Sequence, residues 1–325
     1  MADLSIKYLG LQLKNPFIVS SSGLTDSVEK ILELERLGAG AVVLKSLFEE
    51  QLKFEAGQYS GYSDYPEAED YIRSYTKDHS VGNYLDLIEE AKKATSIPII
   101  ASINCTTANE WIDFSKKIQD AGADALEINV FYLPTNADTG PLEYEKVYFE
   151  LAEELRSRIS IPIAFKLGRQ FSNLLNLINK LYHRNINGVV LFNRFYEPDI
   201  DVSQMKLVPA EVFSAPAEIR QTLRWIGMVS DVIPEINLAA STGVHDGKSA
   251  IKLLLTGATA VQVCSILYKN GAEFLGAIIS EVNAWMDQNK YSRISDFRGK
   301  LNYGSVSEPA VYERTQFMKY FSSHN

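Results

Sequence analysis

The chain is poor in cysteine: among its 325 residues only Cys105 and Cys264 carry a thiol, and they share no metal-type or CxxC spacing. No disulfide framework and no metal centre are expected, and a cytoplasmic, reducing setting is. Positive charge is also short. Lys and Arg number 32 against 41 Asp and Glu, a formal net charge of −9. Neither nucleic acid nor an anionic membrane gains from such a surface in bulk. No apolar run approaches the roughly 18–20 residues a bilayer span needs. The opening MADLSIKYLGLQLKNP lacks the basic-then-apolar order of a signal peptide. What is present, 46% hydrophobic residues against 22% charged, suffices for a sizeable core.

That apolar content falls into two kinds of strand used alternately. One kind follows a helix that stops at or near glycine: LGAGAVVLKS (37–46), AGADALEINV (121–130), NINGVVLFN (185–193) and TGATAVQVCS (256–265). The other starts around Ile-Pro after a polar helix: SIPIIASIN (96–104), SIPIAFKLG (160–168) and, more loosely, VIPEINLAAST (232–242). NPFIVSSSG (15–23) serves as the first. Strands are therefore expected near residues 17, 41, 98, 124, 162, 188, 236 and 260. They are near-continuous apolar runs, as parallel strands covered on both faces are. The segments between read as helices. In one, Thr107 and Glu110 form a capping box, Trp111, Phe114, Ile118 and Ala121 an apolar face, and Gly122 the stop; in another the face is Val28, Ile31, Leu34 and Leu37, stopped at Gly38. Eight such alternations in about 300 residues favour a (β/α)8 barrel over a doubly wound open sheet. LSIKYLGLQLKNP reads as a hairpin plugging the barrel floor. Segments 48–80 and 194–216 read as long loops over the active face, and 302–325 as a C-terminal accessory extension to a 1–301 domain.

Barrel enzymes carry their chemistry at the C-terminal strand ends. Those ends hold Ser20-Ser21-Ser22-Gly23, Lys45-Ser46, Ser102, Asn104-Cys105, Glu127, Asn129, Tyr132, Lys166, Asn193-Arg194, Ser241-Thr242-Gly243 and Cys264-Ser265. Lysines at two strand ends point to a bound anion, because a buried ammonium needs a counter-charge. The alternatives are that they snorkel to solvent or pair with Glu127. Small-residue turns after the last two strands stand where barrels often hold a phosphate on backbone N–H groups.

Through KNPFIVSSSG, GAGAVVLKS, DALEINV, PIAFKLG, GVVLFN, INLAASTGVHDGKSAIKLLLTGATAVQVCSILYKNG and KYSRISDFRGKL, the chain resembles the dihydroorotate dehydrogenase family from about Leu4 to Leu301. It is most similar to the soluble class 1 members, FMN-containing (β/α)8 barrels. The resemblance implies an oxidoreductase of pyrimidine biosynthesis that passes hydride from dihydroorotate, or a related anion, to the flavin. It implies FMN contacts at Ser21, Ser22, Gly23, Lys45, Ser46, Asn104, Asn129, Lys166, Asn193, Ser214, Ala215, Ser241, Thr242, Gly243, Cys264 and Ser265. Asn129, Asn193 and Lys45 would also hold the substrate. A homodimer is implied as well.

The chain departs from the family in two loops. Where the family reads Asn-x-Ser-Cys-Pro-Asn and uses the cysteine as general base, this chain reads Asn129-Val130-Phe131-Tyr132-Leu133-Pro134. Tyr132 at the base position is either a replacement acid/base, a block on the ancestral reaction or a lid aromatic. Where the family holds its substrate with Asn-Ser-Met-Gly, this chain has IRSYTKDHS (72–80), with Arg73, Lys77 and His79, either a solvated loop or the mark of another anionic substrate. Cys105 reads as core before it reads as a relocated base, His245 as a helix-start residue, and the tyrosines of 59–75 as packing or dimer surface. Two other readings stay open: a non-catalytic flavin- or ligand-binding paralogue, and a flavin-free barrel binding a sugar or nucleotide phosphate.

Overall fold

A computed structural model describes residues 2–48, 66–105, 109–130, 133–195 and 197–313. All eight anticipated strands form and close into one parallel ring. In chain order they are β3 (Phe17–Val19), β4 (Ala41–Val43), β6 (Ile99–Cys105), β7 (Ala125–Val130), β8 (Ile163–Leu167), β9 (Gly188–Leu191), β12 (Asn237–Ala240) and β13 (Ala260–Val263). Each pairs with its neighbour, and β13 returns to β3 through Val261↔Phe17 and Val263↔Val19. The architecture is thus a (β/α)8 barrel, and the open-sheet alternative is set aside.

The helices form where capping and apolar spacing agree. In α1 (Val28–Arg36) the Ser27 hydroxyl accepts from Lys30 N at 3.5 Å, Ile31 and Leu34 are buried, and Gly38 turns the chain at φ +103°. In α3 (Asn109–Asp120), Phe114 and Ile118 are buried as expected. Thr107 and the side chains of Glu110 and Trp111 lie outside the described residues.

The N-terminal hairpin, β1 (Ile6–Tyr8) with β2 (Leu11–Leu13), closes the bottom of the ring. Tyr8 and Leu9 are each 1% exposed, and Leu9 N donates to Asn237 Oδ1 at 3.1 Å. Gly188 admits Leu9, since a Cβ there would stand 2.7 Å from its Cδ2.

Three stretches differ from the sequence reading. Residues 48–80 are not all loop: α2 (Pro66–Ala94) starts well before Ser80, so Arg73, Lys77 and His79 lie on a helix, their side chains outside the described residues. Its first half has no apolar stripe to betray a helix. The second barrel strand is interrupted, with β5 (Leu47–Phe48) re-joining β6 after a bulge at 44–46. Beside the bulge, Tyr84 of α2 engages both backbone groups of Ser102. Its hydroxyl accepts from Ser102 N at 2.8 Å and donates to Ser102 O at 3.0 Å. Finally, 194–216 contains an exposed hairpin, β10 (Pro198–Asp201) with β11 (Lys206–Pro209).

The remaining helices are α4 (Pro141–Arg158), α5 (Leu174–Tyr182), α6 (Ile219–Val232), α7 (Gly247–Leu255), α8 (Ser265–Asn270), α9 (Phe274–Gln288) and α10 (Ala310–Glu313). Beyond the barrel, residues 302–313 lie against α6. Tyr303 N donates to Gly227 O at 2.9 Å and Tyr312 is 8% exposed.

Candidate functional site

The register of the strands sets the floor of the mouth. Asn104, Asn129 and Lys166 are consecutive partners across β6, β7 and β8, and one step lower Ser102 partners Glu127. Inward residues two apart on a strand share a face, so these polar groups stack in layers within the ring. Glu127 is 1% exposed and Lys166 is 8% exposed, with 3.4 Å between Lys166 Nζ and Glu127 Oε1. Gln262 joins them: its Nε2 donates to Glu127 Oε2 at 2.6 Å, and its Oε1 accepts from Lys166 Nζ at 3.4 Å and Ser20 Oγ at 3.3 Å. A buried ammonium and carboxylate persist in such a place because each offsets the other's lost hydration.

Lys166 therefore pairs with Glu127, one of the sequence-level alternatives, while still facing the cleft. Lys45 sits in the strand bulge and is exposed to solvent. The pair of lysines is thus no evidence by itself for a buried anion.

Above this floor, Ser20, Ser21, Lys166, Asn193, Arg194, Val212, Ser214, Ser241, Thr242, Gly243, Val244, Gln262, Cys264 and Ser265 surround one cleft. Two strand ends and the 212–215 segment build one corner of it. Ser214 N donates to Ser265 Oγ at 3.0 Å, and Lys269 Nζ donates to Ser214 O at 3.2 Å. Thr242 and Gly243 turn at φ +77° and +82°. Gly243 packs so closely on the start of α6 that a Cβ would lie 2.3 Å from Ile219 N.

The other anticipated residues stand around that cleft. Ser21, Ser46 and Ser102 form a hydroxyl chain, 3.0 Å from Ser21 to Ser46 and 2.7 Å from Ser46 to Ser102. Asn193 Nδ2 donates to Asn129 Oδ1 at 3.0 Å, tying β9 to β7. Ser22 bonds Ser20 O at 3.2 Å, and Gly23 O accepts from Lys30 Nζ at 2.8 Å. Asn104 is buried on β6, and Ala215 N donates to Glu218 Oε1 at 2.7 Å. Tyr132, and with it the base position, lies outside the described residues, as does the Cys105 side chain.

Charges around the rim are mutually engaged. Glu218 receives Arg194 Nε at 3.3 Å and has Arg169 Nη2 at 3.9 Å. His245 Nε2 is 3.1 Å from Ser214 Oγ; burial and the Lys269 charge hold its pKa below the usual imidazole range, so the ring is neutral at pH 7. Burial raises the Cys264 thiol pKa, which keeps it protonated. Cys264 is therefore a packing and hydrogen-bonding group rather than a nucleophile.

Sequence reasoning passed over Gln262, Glu218 and Lys269. Gln262 carried the one available signal, a lone amide inside the apolar strand AVQV. The donor set as a whole is hydroxyls, amides and backbone turns with a single ammonium at the floor. Those groups suit a phosphate at one end and a ring rich in carbonyl and imine acceptors at the other.

Comparison with known proteins gives a family assignment. The family model "Dihydroorotate dehydrogenase" matches residues 3–286. A dihydroorotate dehydrogenase B (NAD(+)), catalytic subunit, from Thermoplasma acidophilum is 27% identical over 311 residues, covering 92% of this chain and 99% of that protein. Dihydroorotate dehydrogenase A (fumarate) from Lactococcus lactis subsp. lactis is 27% identical over 314 residues, with 92% and 99% coverage. Dihydroorotate dehydrogenase (fumarate) from Lachancea kluyveri is 25% identical over 324 residues, with 93% and 99% coverage.

Proposed function

The chain belongs to the dihydroorotate dehydrogenase family, a family of oxidoreductases acting on CH–CH groups, and on that premise we propose that it is an FMN-dependent oxidoreductase of pyrimidine biosynthesis. The observation that carries the reading is the single cleft formed by Lys166, Asn193, Ser214, Thr242, Gly243, Cys264 and Ser265 over the barrel floor. Bound there, FMN supplies the acceptor for the substrate's hydride.

The protein's own groups have distinct tasks. Ser214, Ser265 and the Thr242-Gly243 turn would hold the phosphate on hydroxyls and backbone N–H groups. Lys166, oriented by Glu127 and Gln262, would face the ring and favour negative charge on it. Asn129 and Asn193 are joined by a hydrogen bond that fixes both amides, and with Lys45 they would bind dihydroorotate or a closely related anion.

The proton is the task of Tyr132, which occupies the base position in sequence. A phenol with pKa about 10 is ionised less than a thiol with pKa about 8.5, a difference of roughly 2 kcal/mol at neutral pH. Turnover is therefore expected to rise with pH towards the tyrosine range. A cytoplasmic homodimer is part of the same reading; relatives named for NAD(+) and for fumarate leave two acceptor classes to assay.

The deciding experiment is an anaerobic visible spectrum of the purified protein before and after dihydroorotate. Flavin absorbance that bleaches supports the reaction, and loss of bleaching in Tyr132→Phe assigns the base. An unbleached flavin rejects this substrate, and a colourless protein that does not take up FMN rejects the whole reading.

A further inference from the structure

A second pocket opens on the same barrel mouth, between the loop after β7 and the loop after β8. It has a volume of about 210 Å³, and Asn136, Tyr144, Glu145, Tyr148, Gln170 and Phe171 are among the residues that line it. Its first turn of wall comes from α4, which places Tyr144, Glu145 and Tyr148 on one face at helical spacing. Opposite them stands the 170–172 segment, with Phe171 set edge-on to Tyr148 at 5.4 Å and 75°.

Glu145 is the unexpected member. It is only 7% exposed, yet no hydrogen bond or ion pair engages its carboxylate among the described residues. The neighbouring cation is already used: Lys146 Nζ lies 3.3 Å from Glu150. Three other polar groups of the pocket are committed to the protein itself. The Tyr144 hydroxyl bonds Asn136 N at 3.2 Å, Asn136 Oδ1 accepts from Asp138 N at 3.0 Å, and Gln170 Oε1 accepts from Arg169 N at 3.2 Å. The Glu145 oxygens are not sealed from solvent, so the carboxylate faces the pocket without a partner among the described residues, where an arriving cation can supply the opposite charge. The aromatic walls select the same ligand, because ring faces attract cations and bury the carbon around them.

We propose that this pocket binds a compact organic cation, an ammonium or amidinium head, held by Glu145 and enclosed by Tyr144, Tyr148 and Phe171. The site is separate from the flavin cleft and does not depend on the flavin reading. Its place at the mouth lets an occupant share the active face with whatever reacts there.

Calorimetric titration of the intact protein, as isolated, tests this with choline and benzamidine as probes. Their controls are 3,3-dimethylbutan-1-ol, a neutral isostere of choline, and benzoate, an anion of benzamidine's shape. Both cations are expected to bind saturably and at least about tenfold more tightly than the controls. Glu145→Gln should abolish that preference while circular dichroism and flavin content stay unchanged. Phe171→Leu, which leaves the carboxylate in place, should weaken both cations several-fold and retain the preference, and it carries the test if Glu145→Gln does not fold. The proposal is overturned if neither cation gives saturable heat up to roughly 10 mM. Equal affinity for cation and neutral isostere, or undiminished cation binding in folded Glu145→Gln, overturns it too.

Discussion

Thr242 holds a φ of +77°, a region that a β-branched residue enters at a cost of about 1–2 kcal/mol. Its hydroxyl donates to Phe192 O at 3.0 Å, which offsets part of that cost and fixes the turn against β9. Thr242→Val keeps the strain and loses the bond, so it should lower stability by about 1 kcal/mol in urea denaturation. Thr242→Gly loses the bond but relieves the strain, and it should fall within about 1 kcal/mol of the parent. Equal losses in the two variants would remove the backbone strain from the explanation. The buried pair below makes a sharper case. Lys166→Met strands the Glu127 carboxylate and should cost about 3–5 kcal/mol, and adding Glu127→Gln should recover most of it. A double variant as unstable as the sum of the singles would mean the two groups are not coupled. The sequence offered this pairing only as an alternative to a bound anion, because a lysine inside an apolar strand needs an opposite charge and does not say where it comes from. Gln262 was not legible, because nothing local says that an amide on the eighth barrel strand reaches the fourth.

At the level of elements, α2 does more than cover the sheet. By bonding both backbone groups of Ser102, Tyr84 ties this helix to β6 beside the 44–46 bulge. Tyr84→Phe removes both bonds at once and should destabilise the barrel by about 1–3 kcal/mol. Hydrogen exchange at the Ser102 amide should accelerate with it, and an unchanged exchange rate would place that amide's protection elsewhere. A comparable dependence joins the C-terminal segment to α6, where Gly227 lies under the Tyr312 ring. A Cβ there would stand 2.3 Å from Tyr312 Cε1, so Gly227→Ala should free residues 302–313 to limited proteolysis while the barrel stays folded. Seven of the eight strands could be read in advance because each follows a glycine stop or an Ile-Pro, and the first because Asn15-Pro16 opens an apolar run. The first half of α2 and the β10–β11 hairpin could not. The first carries a polar, charged run without a helical apolar stripe in sequence, and the hairpin exposes Ile200, Val202 and Leu207 rather than turning them to the core. The cleft was legible as a set of strand ends, whereas the pocket at Glu145 was not, because its walls come from a helix face and a loop that sequence treats as ordinary.

For the molecule as a whole, buried phenols set an alkaline limit. Burial raises the pKa of Tyr8, helped by the Glu127 charge, and likewise those of Tyr84 and Tyr148. Each folded phenol keeps its proton above the pH at which the unfolded one, near 10, has lost it. Their contribution is therefore complete below about pH 10 and declines above it, by about 1.4 kcal/mol per pH unit for each tyrosine. Three together give a slope of about 4 kcal/mol per pH unit, measurable as a steep drop in denaturation midpoint; a flat alkaline profile would show that these hydroxyls reach solvent. The ring closure has a consequence of another kind, one of time. β3 finds its second partner only in β13, and Val261 follows Phe17 by most of the chain's length. At about 5–20 residues per second, synthesis separates the two by roughly 12 to 50 seconds. Throughout that interval the first strand has an open edge, so until its last strand arrives the nascent chain depends on whatever shields that edge.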